Sequence, residues 1–128
     1  MIDFKTLRVW ELFHEIALDI YRITRKFPLE ELYGLTSQMR KSASSAPTNT
    51  AEGCGRNTDP DLAKFLTIAM GSASELEYQL LLSKNLEYID QDEYETIVEK
   101  LITAKKMLNT FLQKVRARIP TKRRYPKP

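Results

Sequence analysis

One histidine, one cysteine, a row of carboxylates and a basic C-terminal end are the side chains in this 128-residue chain whose types and spacing bear on chemistry. His14 has no second histidine to join it, so a serine–histidine or metal–histidine constellation has little to build on. It falls at the edge of an apolar helical face, where a boundary role explains it. Cys54 is equally alone, which excludes an intramolecular disulfide and a cysteine zinc site and fits a reducing cytoplasm. Gly53-Cys54-Gly55 lacks the Lys-Ser/Thr ending of a phosphate loop and follows no strand, so a helix C-cap with a left-handed stop accounts for it. Glu11, Glu15 and Asp19 recur every four residues, and paired acids can serve general acid–base catalysis. Here they sit on the polar side of a helix, in reach of Arg8, Arg22 and Lys26, as a solvated face would. Lys105 interrupts an apolar stripe, which demands either snorkelling or a partner such as Glu75 or Glu77. Asn49 and Glu52 follow an interior proline; they either satisfy backbone groups it frees or face a partner. No catalytic residue, metal site or cofactor is expected.

Charge is distributed unevenly. From Arg116 onward there are six basic residues, Arg116, Arg118, Lys122, Arg123, Arg124 and Lys127, and no acid. The preceding body has fourteen basic against seventeen acidic residues, so the end carries the net charge of +3. Such an end suits an anionic partner, most often nucleic acid, or simply solubilises the chain. Pro120, Pro126 and Pro128 predict an extended arm, with Tyr125 placed to stack on a base. The N-terminal residues lack the pattern of a signal peptide, and no run reaches the ~18 apolar residues of a membrane span. The expectation is a cytoplasmic protein with no membrane partner.

The elements that must carry these residues are helical throughout. Residues 7–26 place Val9, Leu12, Phe13, Ile16, Ala17, Ile20 and Ile23 on one face, widened by Trp10 and Tyr21 to about half the circumference, more than the ~100° of an ordinary surface helix. Pro28 ends this segment. Residues 30–52 form a second helix, kinked or split at Pro47. Thr58 or Asp59 caps a third, residues 59–86, with Pro60 in its first turn. Leu62, Phe65, Leu66, Ala69, Ala73, Leu76, Leu80 and Ser83 make its face; Ile68, Gly71, Glu75 and Leu82 lie behind. Asp90 and Glu93 form a capping box for a fourth, residues 91–117, ending before Pro120. Four helices with short connections predict an antiparallel up-down-up-down bundle over residues 1–119, followed by a basic tail at 120–128.

The block from Leu35 to Lys41, the run Pro47-Thr48-Asn49-Thr50-Ala51-Glu52-Gly53-Cys54-Gly55-Arg56, the N-terminal stretch from Phe4 to Trp10, and Phe65 to Leu82 resemble proteins encoded in 23S rRNA intervening sequences. Tyr88, Ile89, Tyr94 and Met107-Leu108-Asn109 extend the likeness to all but the last ten or so residues. The sequence is also similar to accessory variability determinants, which act beside the reverse transcriptase of diversity-generating retroelements. The resemblance implies a ring-shaped homopentamer of four-helix bundles and binding of RNA or DNA, with a reverse transcriptase as a further partner. Thr50 departs from the aliphatic residue common there, and Cys54 from a bulkier apolar one.

Two functions are therefore expected. The first is a non-catalytic oligomer that binds nucleic acid through Arg116, Arg118, Lys122, Arg123, Arg124 and Lys127, helped by Arg40, Lys41 and Arg56 on the bundle. The second is a protein-interaction scaffold without a nucleic-acid role, suggested by the acidic body and its surplus apolar surface.

Overall fold

A computed structural model of the chain describes residues 1–120. The described residues form four long helices and no strand: α1 (Arg8–Thr24), α2 (Leu35–Cys54), α3 (Asp59–Asn85) and α4 (Gln91–Ala117), with 3₁₀ turns at Phe4–Thr6 and Leu29–Glu31. Residues 121–128 of the expected tail, with Lys122, Arg123, Arg124, Tyr125 and Lys127, lie outside the described residues.

The caps explain the boundaries. The Thr58 side chain accepts from the Asp61 amide at 3.3 Å, and Pro60 stands in the first turn, where its missing N–H costs nothing. Asp90 accepts from the Glu93 amide at 2.8 Å, while Glu93 accepts from the Asp90 amide at 3.0 Å, completing the expected capping box of α4. Helix α2 begins later than the sequence pattern suggests. The Glu31 carboxylate accepts from the Leu35 amide at 3.2 Å, and Gly34 breaks the helix with φ −114 and ψ −113, so residues 32–34 form a turn instead.

Of the two outcomes expected at Pro47, a kink or a split, the split does not occur: α2 runs through the proline as one element. Pro47 cannot donate to the Ala43 carbonyl, yet its neighbours bind carbonyls with their own side chains. Thr50 Oγ1 donates to Ala46 O at 2.8 Å, and Asn49 Nδ2 to Ser45 O at 2.9 Å. Nor is the stop left-handed: Gly55 sits at φ −85, and no glycine has positive φ. Gly53 instead serves close packing. A Cβ there would lie 3.1 Å from both Leu62 Cδ1 and Phe65 Cβ, so its small size lets α2 approach α3.

The core is a stack of aliphatic layers from all four helices, with Ile20, Met39, Leu66, Leu80, Leu101 and Leu108 excluded from solvent. Helix α1 is covered by both α2 and α4, which explains its wide apolar arc within one chain. The second stripe of α3 stays outside: Ile68 is 42% exposed and Gly71 faces open space, while Leu82 is half-buried. The register of neighbours is set by a few polar pairs. Ser83 Oγ lies 3.2 Å from Met39 Sδ, Glu75 accepts from Ser42 at 3.0 Å, and the Ser45 and Ser72 hydroxyls are 2.7 Å apart. As α2 advances, its partners on α3 recede.

Candidate nucleic-acid interface

The basic residues expected on the bundle are dispersed and largely occupied. Arg40 Nε donates to Thr24 Oγ1 at 2.8 Å, and its guanidinium lies 4.9 Å from the centre of the Tyr21 ring. It therefore clamps α2 to α1. Lys41 beside it is exposed. Arg56 pairs with Glu52 at 3.0 Å and covers the Phe65 ring at 4.7 Å. Arg116 Nη2 donates to Thr67 Oγ1 at 3.2 Å. Arg118 reaches Asp59 with two hydrogen bonds, 3.2 Å from Nε and 3.0 Å from Nη2. Arg56, Arg116 and Arg118 thus gather at the end where α2 meets α3 and α4 finishes. Arg40 and Lys41 do not join them, since the length of α2 between Lys41 and Arg56 is about 20 Å.

The Arg118 hydrogen bonds hold the Asp59 carboxyl below the usual carboxylate range. The sign follows directly. A carboxyl depressed in the folded chain contributes stability above its unfolded value of about 3.9 and loses it as pH falls through the lower folded value. The expected result is an Asp59 titration midpoint, read by NMR, below that of a free aspartate, returning to the ordinary range in Arg118→Gln. An ordinary midpoint in the intact chain would mean that the pair does not persist in solution.

The remaining candidates resolve as follows. His14 is exposed and stacks on Trp10, the rings 5.1 Å apart and 7° from parallel, while Phe4 meets Trp10 edge-on at 4.8 Å. Cys54 is buried, and burial pushes its thiol pKa up, away from the reactive thiolate. Lys105 meets Glu77 at 2.8 Å, one of its two expected partners, and Glu52 pairs with Arg56 instead of serving the backbone. The row of acids is not uniformly solvated, which corrects the sequence reading. Asp19 is only 7% exposed and is held between Arg22 and Lys100, the latter at 2.9 Å, because α4 packs along that edge of α1. Glu15 and Glu11 both reach Arg8. Among the described residues, no group of three metal-ligating side chains is present, and no helix is long and apolar enough to cross a membrane.

A basic surface that sequence reasoning missed lies on the second half of α4. Glu99 is the last acidic side chain in the sequence, and ten of the twenty basic residues follow it. Of these, Lys106 and Lys114 are exposed and line a groove of about 440 Å³ with Leu7, Arg8, Val9, Met107, Thr110 and Phe111. No carboxylate lines it. The signal was available: the acid-free run begins well before Arg116.

The described residues form a four-helix bundle whose surface carries dispersed charge and an apolar groove rimmed by lysines. A family model described as 23S rRNA-intervening sequence protein matches residues 5–110. The chain belongs to that family. It is similar to the crystal structure of a protein of unknown function from the S23 ribosomal protein family of Bacteroides thetaiotaomicron. The TM-score is 0.75 at 27% identity, covering 82% of this chain and 98% of that one. No curated protein matches the chain.

Proposed function

We propose that this chain is a non-catalytic, antiparallel up-down-up-down bundle that assembles into a ring-shaped homopentamer in the cytoplasm and binds RNA or DNA through basic surfaces. The observation that carries the reading is charge segregation: every residue after Glu99 is neutral or basic, while the carboxylates crowd the rest of the chain. Counterion release from phosphates rewards such a surface, and repetition around a ring multiplies weak contacts. The receding register of α2 on α3 supports the antiparallel order. The exposed apolar side chains Ile68, Tyr78, Leu81 and Ile102 supply surface for assembly. An accessory factor beside a reverse transcriptase, which handles both RNA and DNA, fits the same chemistry and the likeness to accessory variability determinants.

Salt titration of binding to generic RNA and DNA tests the reading. Affinity should fall steeply with salt, and a chain cut after Pro120, losing Lys122, Arg123, Arg124 and Lys127, should bind more weakly with a flatter slope. No binding by the intact chain at low salt would overturn it. One observation favours the scaffold as the second reading. Leu29 and Tyr33, 86% and 93% exposed, stand with Leu32 in the α1–α2 connection, at the same end of the bundle as Leu86. That apolar end suits a protein partner.

A further inference from the structure

We propose that the groove between Leu7–Val9 and the second half of α4 seats one unpaired base of a single-stranded polynucleotide, with Lys106 and Lys114 on the phosphates to either side. The inference rests on the nucleic-acid reading above and names its site. The groove has an apolar floor made by Leu7, Val9, Met107 and Phe111, of which Leu7, Met107 and Phe111 are half-buried and so still offer surface. Met107 and Phe111 are one helical turn apart, about 6 Å along α4, the span of one planar ring and too short for a docked helix. Lys106 and Lys114 bracket that turn at i and i+8, about 12 Å apart along the axis, with Thr110 between them. The order along the groove is cation, apolar turn, cation, which complements phosphate, base, phosphate.

Charge favours the same occupant. Lys106 and Lys114 take part in no ion pair among the described residues, whereas Arg8 on the opposite wall is held by Glu11 and Glu15. The two lysines are therefore the groove's available cations, and a polyanion can bind there without displacing an internal partner. Arg40, Arg56, Arg116 and Arg118, by contrast, must first release Thr24, Glu52, Thr67 and Asp59. A duplex keeps its bases stacked and cannot fill the apolar turn, so single strands are preferred. A basic segment such as the C-terminal end carries the same sign of charge as the groove's rim and does not complement it.

The test is fluorescence anisotropy of the full chain with labelled oligouridylate and oligothymidylate of roughly a dozen nucleotides. A duplex of equal length and polyglutamate of equal charge serve as competitors. Lys106→Gln with Lys114→Gln should weaken single-strand binding about tenfold or more at low salt and lower the salt slope by about 1.4, the share of two phosphates on a single strand. Phe111→Leu, which keeps every charge, should weaken binding about fivefold with the slope unchanged, the mark of a lost stacking contact. The duplex should compete poorly. The two labelled strands distinguish RNA from DNA, and either one bound in this way supports the groove.

Wild-type affinity and slope in the double lysine variant, with the intact chain binding, would overturn the groove and leave the broader reading standing. Competition by duplex or polyglutamate as strong as by the single strand would also overturn it. So would a change in molar mass by light scattering in the lysine variant, because a second copy of the chain would then be the occupant. An intact chain that binds none of the probes would remove the nucleic-acid reading and this inference together.

Discussion

Replacing Leu101 with alanine lowers the unfolding free energy by about 2–5 kcal/mol, the cost of removing a buried leucine and leaving a cavity. Leu101 is fully excluded from solvent on the inner face of α4, in the same core as Leu66, Leu80 and Leu108. For a domain with a total stability of about 5–15 kcal/mol, that loss moves the denaturant midpoint far to the left. The neighbouring residue supplies the control. Ile102 is 39% exposed, so Ile102→Ala should change the stability of an isolated chain by only about 0.5 kcal/mol. Equal losses at the two positions in urea denaturation would contradict the inward placement of Leu101. A large loss at Ile102 that grows with protein concentration would show that another subunit covers it.

The second large effect is expected at Gly71. A Cβ built there meets nothing within 4 Å, so no contact within the chain requires glycine. Glycine inside a helix costs roughly 0.5–1 kcal/mol relative to alanine. In a monomer, Gly71→Ala should therefore raise stability by about that amount. In the proposed assembly the position has a different meaning. Gly71 follows exposed Ile68 by three residues and precedes exposed Tyr78 by seven, on one outer face of α3, where a small residue admits a neighbouring helix. Gly71→Arg should then convert the oligomer to monomer while helix content by circular dichroism stays unchanged. Unaltered molar mass in light scattering would place the subunit contact on another face.

Much of the fold could be read from local chemistry. The bounds of α4, 91–117, follow from the Asp90–Glu93 capping box and an unbroken apolar stripe, and those of α3 from Thr58 and Pro60. The start of α2 was harder, because Glu30 and Glu31 suit a helix by type. The turn there has Glu31 reaching forward to the Leu35 amide while its other oxygen accepts from the distant Tyr88 hydroxyl at 2.9 Å, a tertiary contact that fixes the rotamer. Pro47 left a kink and a split both open for a related reason. An interior proline breaks a lone helix, but this one is buried against neighbours and surrounded by hydroxyl and amide groups that bind nearby carbonyls. A helical wheel put Asp19 in solvent, yet wheels do not show which edge a second helix overlaps. The candidate site was legible as charge but not as geometry. Arg40 and Arg118 look like free cations in sequence, and only the fold shows their partners. Lys106 and Lys114 stand eight residues apart among neutral side chains, and only the fold sets them on the rim of one groove.

The short connections between the later helices set the tempo of folding. Only residues 55–58 separate α2 from α3, and residues 86–90 separate α3 from α4. Most packing therefore joins segments that are already close along the chain, and little loop entropy opposes it. Bundles of this kind fold within microseconds to milliseconds. The α3–α4 pair, begun at the Asp90 capping box, suits a nucleus. The union of α1 with α4, closed by the Lys26–Glu93 and Asp19–Lys100 pairs, spans the greatest separation in sequence and should form last. Weakening those two pairs should therefore speed unfolding and leave the refolding rate nearly unchanged.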